Sequence, residues 1–389
     1  MKDKNLENNI ENNIENNAES ALAKAVRGYR VYERRGDIFK AIRSLCSLCS
    51  VSGSEMLTDG SIKKIYGEFF DSITVDSVGN YLLYKSSGKE NAVKIMIDAH
   101  YDEIGFVVTE VLDGGFLRIT NIGGVDRAIM QAADVTVYGK ETLSGVIIST
   151  PPHLRSGGNK LPQIEELFVD LGIGYTKDEL SAIAPVGTVV TFKKVYKVLE
   201  NDKFIGASLD NKACAAIAID AIINTPKEEL AGDVYITLSC REETGRSHGG
   251  AYVIANRIKP DYALVIDVNL ANAPDVPSRE SVKMDKGISI SYSPVTSRAL
   301  TLLSARLCEE AKIDYQKKTE AHSTGTNAPA VNLAAHYVPV VDVGLPIRNM
   351  HTYSELASMI DCCNLWSFVR LFASSCEIAN EFRREELEI

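Results

Sequence analysis

The hydrophobic pattern changes period twice along the chain. Residues 38–106 and the stretch after 202 alternate helical segments with short apolar runs, as an α/β sheet requires. Residues 107–196 instead carry short alternating strands, with turn glycines at 114, 115, 123, 124, 139, 145, 157 and 158. Strand signals at that spacing specify a small β-barrel or sandwich. A chain with one pattern on both sides of the other is an α/β domain interrupted by a β insertion. We therefore expect an α/β domain from residues 37–106 and 197–389 and an inserted β domain over 107–196.

The element reading follows the same pattern. Residues 38–48 and 56–70 read as helices, with "SVSGSE" between them as a loop. "ITVDSVGNYLLYK" reads as a hairpin turning at Gly79 and Asn80, and residues 93–99 as an apolar strand. The insertion offers the strands "FVVTEVL", "GFLRIT", "ADVTVYG", "SGVIIST" and "GTVVTFKK". Beyond 202, "NKACAAIAIDAIINT", "GGAYVIANRI" and "SRALTLLSARLCEEAKI" read as helices, and the chain from 354 as mostly helix. "DVYITLSC", "DYALVIDVN" and "VPVVDVGL" read as the strands between them. Residues 1–36 form an extension that opens with a repeated E-N-N-I unit; its asparagine content and narrow apolar stripe favour disorder, with a helix as the other reading.

Bulk properties exclude several functions. At 389 residues the chain can bury a large core. A net charge of −10 and a pI near 5.3 argue against a nucleic-acid binder, which needs a basic face. No apolar run approaches the roughly 18 residues of a membrane span, so no membrane partner is expected. The start, "MKDKNLENNIENN", is too polar for a secretory signal. Most of the eight cysteines sit in apolar segments, where cysteine acts as a small hydrophobe, and the Cys46 and Cys49 pair lacks a second pair to complete a zinc site. Reduced thiols in a cytoplasm fit this usage.

Metal-competent side chains collect at the ends of the apolar segments. "KIMIDA" runs into His100, "VYITLSC" leads to Glu242 and Glu243, "YALVID" ends at Asp267, and "VPVVDVGLPIRNM" leads to His351. Asp210 opens the helix of "GASLDNKACA". Singly, each has a plain explanation: an Asp before a helix is usually an N-cap, adjacent glutamates are usually solvated, and a His after a strand is often structural. Jointly they point to one crevice, because ligands of open α/β sheets bind outside the carboxyl ends of the strands. Two histidines with several carboxylates suit zinc, cobalt or manganese better than calcium, and the absence of thiolates argues against a closed structural zinc. One of Glu242 and Glu243 can bind metal while its neighbour takes a proton from water, and Asp102 is placed to orient the His100 imidazole.

At these residues the chain resembles the M42 family of metallo-aminopeptidases, which includes the TET peptidases. The matching stretches are "DAHYDEIGFVV", "LRITNIGGVD", "GVIISTPPHL", "GASLDNKACAA", "REETG", "VIDV" and "GLPIRNMHTYSE". The resemblance implies two divalent metal ions per subunit, zinc or cobalt, with manganese as a further option. It implies Asp210 as bridging ligand, His100 and Asp267 at one metal, and Glu243 and His351 at the other. Glu242 then resembles the general base that activates a metal-bridging water, and Asp102 the residue orienting His100. The implied activity is removal of the N-terminal residue from short peptides. The implied fold is a mixed-sheet α/β metallopeptidase domain whose inserted, barrel-like β domain mediates homodimerisation, with dimers assembling further into a dodecamer.

The chain also departs from the family pattern. "STGTNAP" puts Asn327 where the family has Asp, removing a negative charge near the substrate. The turn after "REETG" is about two residues longer than usual and holds His248, which reads as a surface loop residue. His153 lies on a loop of the insertion, His322 is placed to touch substrate, and His336 reads as an ordinary loop residue. Two rivals remain: an M20-type deacylase or carboxypeptidase, and a catalytically silent assembly protein of the same fold. An insertion after Asp210 would have favoured the first; here it lies between Asp102 and Asp210. The presence of every expected ligand weighs against the second.

Overall fold

The computed structural model describes residues 31–384 except 59, 152–160, 173, 246–248 and 275. His153, His248 and most of the N-terminal extension lie outside the described residues. Four parallel strands form the middle of an eleven-stranded mixed sheet, in the order Asp233–Ser239, Lys94–His100, Tyr262–Leu270 and Val340–Arg348. They are near-continuous apolar runs because both faces of the sheet are covered. Side chains alternate between the two faces. Ile95, Ile97 and Ala99 join the large core under the helices Arg35–Cys46, Leu209–Ile223 and Met359–Ser374. Met96 joins the smaller core under Gly249–Ile258 and Ala328–Leu333. The fold is thus three layers, helix over sheet over helix.

Antiparallel strands finish the sheet at its margins. The hairpin Ser72–Val75 and Tyr81–Lys85 closes one side, its turn held by the Asp76 carboxylate, which accepts from the amides of Val78, Gly79 and Asn80. Glu355–Ser358, Lys203–Gly206 and Lys197–Val198 close the other. Ile288–Tyr292 and Tyr315–Thr319 branch from the last central strand. A separate six-stranded closed barrel interrupts this sheet, in the order Gly105–Leu112, Phe116–Ile122, Phe168–Asp170, Thr142–Ile148, Asp134–Tyr138 and Val189–Phe192. It has its own core, which includes Phe106, Leu117, Val135, Ile147 and Val190.

Three local expectations change. The helix expected over 56–70 is a short 3-10 turn, Glu55–Thr58, followed by the helix Ser61–Tyr66. Gly60 sits at φ +81, a left-handed conformation that starts the second piece afresh. The barrel's Phe168–Asp170 strand and the helix Lys177–Ile183 were not read from the pattern; three residues are too few to show alternation. The segment after 354 opens with a strand, Glu355–Ser358, before it becomes helical.

Candidate metal centre

The strand ends bring the expected side chains to one place. His100 finishes its strand, Glu242 and Glu243 follow the neighbouring parallel strand, Asp267 lies near the end of the next, and His351 follows the fourth. Asp210 enters from above at the start of the helix Leu209–Ile223. Its carboxylate is not an N-cap. One oxygen, Oδ1, lies 3.2 Å from His100 Nε2, and the other, Oδ2, lies 3.4 Å from His351 Nε2. His100 Nε2 is also 3.6 Å from Asp267 Oδ1 and 3.9 Å from Glu242 Oε2, while His351 Nε2 is 3.3 Å from Glu243 Oε2. Among the described residues, His100, Asp210 and Glu243 each offer a ligand atom, all lying within 4.8 Å of one another.

The electrostatics call for a cation. Asp210, Asp267, Glu242 and Glu243 face only imidazoles; among the described residues no lysine or arginine forms an ion pair with any of them. Burial pushes Asp267, Glu242 and Glu243 each up to about 7. Hydrogen bonds to Asp210 and Glu243 push His351 up to about 11. His100 is raised well above its ordinary value: burial opposes this, but Asp267, Asp102 and Asp210 outweigh it. Asp210, between two imidazoles, is driven low against its burial. A divalent ion would supply positive charge to these carboxylates. Among the described residues nothing donates a well-aligned hydrogen bond to the buried Asp210 Oδ1, which suits this oxygen to ligate a metal.

A second tier of carboxylates holds the first. Asp102 lies 3.4 Å from His100 Nδ1 and also accepts hydrogen bonds from the backbone amides of Glu242 and Glu243, both at 3.1 Å. Glu55 accepts from the preceding amide, Arg241 N, at 3.0 Å. Three consecutive backbone donors are thereby fixed by two buried acids, and the two glutamate side chains are aimed at the histidines. Glu355 does the same opposite, accepting from Asp210 N at 3.1 Å and His351 N at 3.0 Å. Asn211 donates to the carbonyl of Ile266, tying the helix start to the strand that carries Asp267.

Glu55 and Glu355 were not singled out from the sequence. Glu355 stands at the end of the motif "GLPIRNMHTYSE", so its proximity to His351 was the available signal; Glu55, in a loop, offered none. Glu103 serves a different purpose from its neighbour Asp102. It pairs with Lys194 and Lys212, both at 2.8 Å, and accepts from Ser50 N and Ser208 Oγ. His322 and His336 are exposed. Asn327 is buried and donates from Nδ2 to Asp98 Oδ2 at 3.1 Å and to Ser239 Oγ at 2.9 Å.

Similarity to known proteins decides the family. A sequence profile described as M42 glutamyl aminopeptidase matches residues 79–368. The chain belongs to the M42 glutamyl aminopeptidase family. A putative aminopeptidase of Acetivibrio thermocellus is 29% identical over 331 residues, covering 84% of this chain and 96% of that protein. A lysyl aminopeptidase of Pyrococcus furiosus is 28% identical over 320 residues, covering 81% and 90%. Among solved structures, an aminopeptidase from the archaeon Desulfurococcus kamchatkensis superposes with a TM-score of 0.81 at 26% identity, covering 91% of this chain and 99% of that one. The TET1 peptidase of Pyrococcus horikoshii, which can assemble into a tetrahedron or a large octahedral shell, gives a TM-score of 0.75 at 27% identity, covering 86% and 99%. The M42 fold, a mixed α/β sheet with a separate closed barrel, is the fold seen here. M42 proteins are aminopeptidases, which are hydrolases, and the M20-type alternative gives way to this assignment.

Proposed function

We propose that this protein is a di-metal aminopeptidase that removes the N-terminal residue from short peptides. The observation that carries the reading is Asp210, whose two carboxylate oxygens face one histidine each, with Oδ1 buried and, among the described residues, without a well-aligned hydrogen bond. Asp210 would bridge two ions, with His100 and Asp267 completing one site and Glu243 and His351 the other. Zinc or cobalt suits this nitrogen and oxygen set, with manganese as a further option. When bound, such a pair polarises the scissile carbonyl and makes water acidic enough to attack near neutral pH.

The protein's own groups do the rest. Glu242 is the acid of the pair that lies near His100 and lines an open cavity, so it is positioned to take the proton from the attacking water and hand it to the leaving amine. Asp102 orients His100 and holds the turn that aims Glu242. The barrel is the element through which copies of the chain would pair, as a homodimer and in larger closed shells. Among the described residues no helix is long and apolar enough to cross a membrane, and a cytoplasmic setting suits the buried free cysteines.

The direct test offers one short peptide with a free amino terminus beside its N-acetylated twin, with cobalt or zinc supplied. Cleavage of the free form alone is expected. Cleavage of the acetylated form would point to a deacylase or endopeptidase, and cleavage of neither to a silent assembly protein.

A further inference from the structure

Beside Glu242 lies a cavity of about 300 Å³ whose walls include Gly249, Ser323, Thr324, Thr326 and Asn327. Among the described residues lining it, Glu242 is the one ionisable group. The 323–327 segment is anchored from below at two buried carboxylates. Thr326 Oγ1 donates to Asp342 Oδ1 at 3.1 Å, and Asn327 Nδ2 donates to Asp98 Oδ2 at 3.1 Å. Asp98 is the unexpected member. It sits inside a central strand, fully buried, on the face that otherwise carries Met96. Its oxygens accept from Thr237 Oγ1, Ser239 Oγ and Asn327 Nδ2, three neutral donors, and among the described residues no lysine or arginine pairs with it.

A buried carboxylate needs donors, and that requirement decides which way the Asn327 amide turns. Its nitrogen contacts Asp98 Oδ2 and, at 2.9 Å, Ser239 Oγ, so both amide hydrogens are committed inward. The Oδ1 oxygen therefore faces away from Asp98, and among the described residues nothing donates to it. We propose that Asp98 is a positioning residue for substrate: it fixes Asn327 so that Oδ1 accepts a hydrogen bond from a protonated primary amine in the cavity beside Glu242. This deepens the aminopeptidase reading and rests on it. Asp98 acts through the oriented amide, whose oxygen presents its partial negative charge to the amine. The amine can be the substrate's α-ammonium or the side chain of an N-terminal lysine; both share the same chemistry.

The test exchanges the two groups. Asp98→Asn keeps the size but replaces one acceptor oxygen by a donor, which removes the hold on the Asn327 amide nitrogen. For alanyl and lysyl dipeptides with metal-loaded enzyme, KM should rise about tenfold while kcat changes less than threefold. The double variant Asp98→Asn with Asn327→Asp returns a carboxylate to the pair and should recover KM to within threefold of the parent, which a merely structural role would not do. Equal losses for both substrates assign the site to the α-ammonium, and a loss confined to the lysyl peptide assigns it to the side chain. An unchanged KM, or a folded double variant no better than the single one, overturns the proposal. Should Asp98→Asn fail to fold, Asn327→Ala probes the same acceptor with the same expected rise in KM; an unchanged KM there also overturns it. Calorimetric titration with L-alaninamide and L-lysinamide separates this inference from the function on which it rests. At least one of the two should bind about tenfold more weakly to Asp98→Asn. Equal affinities for both overturn the inference, whether or not any peptide is cleaved; absence of cleavage by the parent overturns the aminopeptidase reading.

Discussion

Asp102 and Glu103 are neighbours in sequence and both are buried, yet they belong to clusters of opposite charge balance. Asp102 supports a group of four carboxylates and two imidazoles that lacks any lysine or arginine ion-pair partner among the described residues. Glu103 is enclosed by two ammonium groups, which also donate to the carbonyls of Cys46 and Leu48. In the first cluster protein charge is left uncompensated, and a bound cation would meet the shortfall. In the second the compensation is internal, although one carboxylate shared by two ammoniums leaves a surplus of positive charge. Burial accordingly pulls Lys212 below its usual range in spite of Glu103, whereas Lys194 is held above it. An open cluster can bind and react; a closed one can only hold the structure together.

Substitutions should separate the two clusters cleanly. The largest effect is expected for Glu242→Gln, which should lower kcat by about a thousandfold, within the usual range for a lost general base, with metal content unchanged. Metal loss in this variant, or retained turnover, would remove Glu242 from that role. Glu103→Gln should instead cost about 3–5 kcal/mol of stability, because two buried ammoniums lose their counter-charge. An unaltered urea midpoint would show that the second cluster is not closed in the sense argued here.

Metal removal should act on the first cluster alone. Dialysis against a chelator should lower stability, and restoring zinc or cobalt at a hundred times its Kd should return about 2.7 kcal/mol. That increment should be the same in Glu103→Gln as in the parent. Acid should act on the second cluster. Burial would raise the Glu103 carboxyl, but Lys194 and Lys212 prevail and hold it down to about 2, from an ordinary 4.5. A depressed pKa gives stability that is complete above about 4.5 and is lost as pH falls towards 2, in all about 3 kcal/mol. The difference in urea midpoint between parent and Glu103→Gln should therefore narrow between pH 5 and pH 3; a constant difference would contradict the assignment. Replacing the exposed His322 or His336 by Ala should change stability by less than about 0.5 kcal/mol, the usual scale for surface positions.

What could be read from the sequence followed from how each feature is encoded. The central strands were legible because burial on both faces demands long apolar runs, and the cluster of candidate ligand residues was legible because its members interrupt those runs with chemistry that burial alone would not choose. The family resemblance then proved correct. Features held by side chains distant in sequence were not legible. Glu55 reaches the Arg241 amide across 186 positions and Asn327 reaches Asp98 across 229, and no periodicity reports either. The helix Lys177–Ile183 was missed although its start carries a readable signal, Thr176 and Glu179 in a reciprocal capping box. Asp98 was not legible as more than an exception, because one acid in an apolar run has no reading until its partner is known.

The pairing of Glu103 with Lys194 carries a consequence for how such a molecule can change over generations. The chain departs for the barrel just after Glu103 and returns just before Lys194, so positions 91 apart in sequence are joined at 2.8 Å. Whatever lies between them hangs from a neck whose width is set by the host, not by the guest. A lineage can lengthen the barrel's loops, resurface it for a new neighbour or remodel its strands without moving the mouth of the insertion, and His100 and Asp102, immediately upstream, keep their places throughout. Barrel and candidate metal centre are thereby free to evolve at different speeds within a single chain.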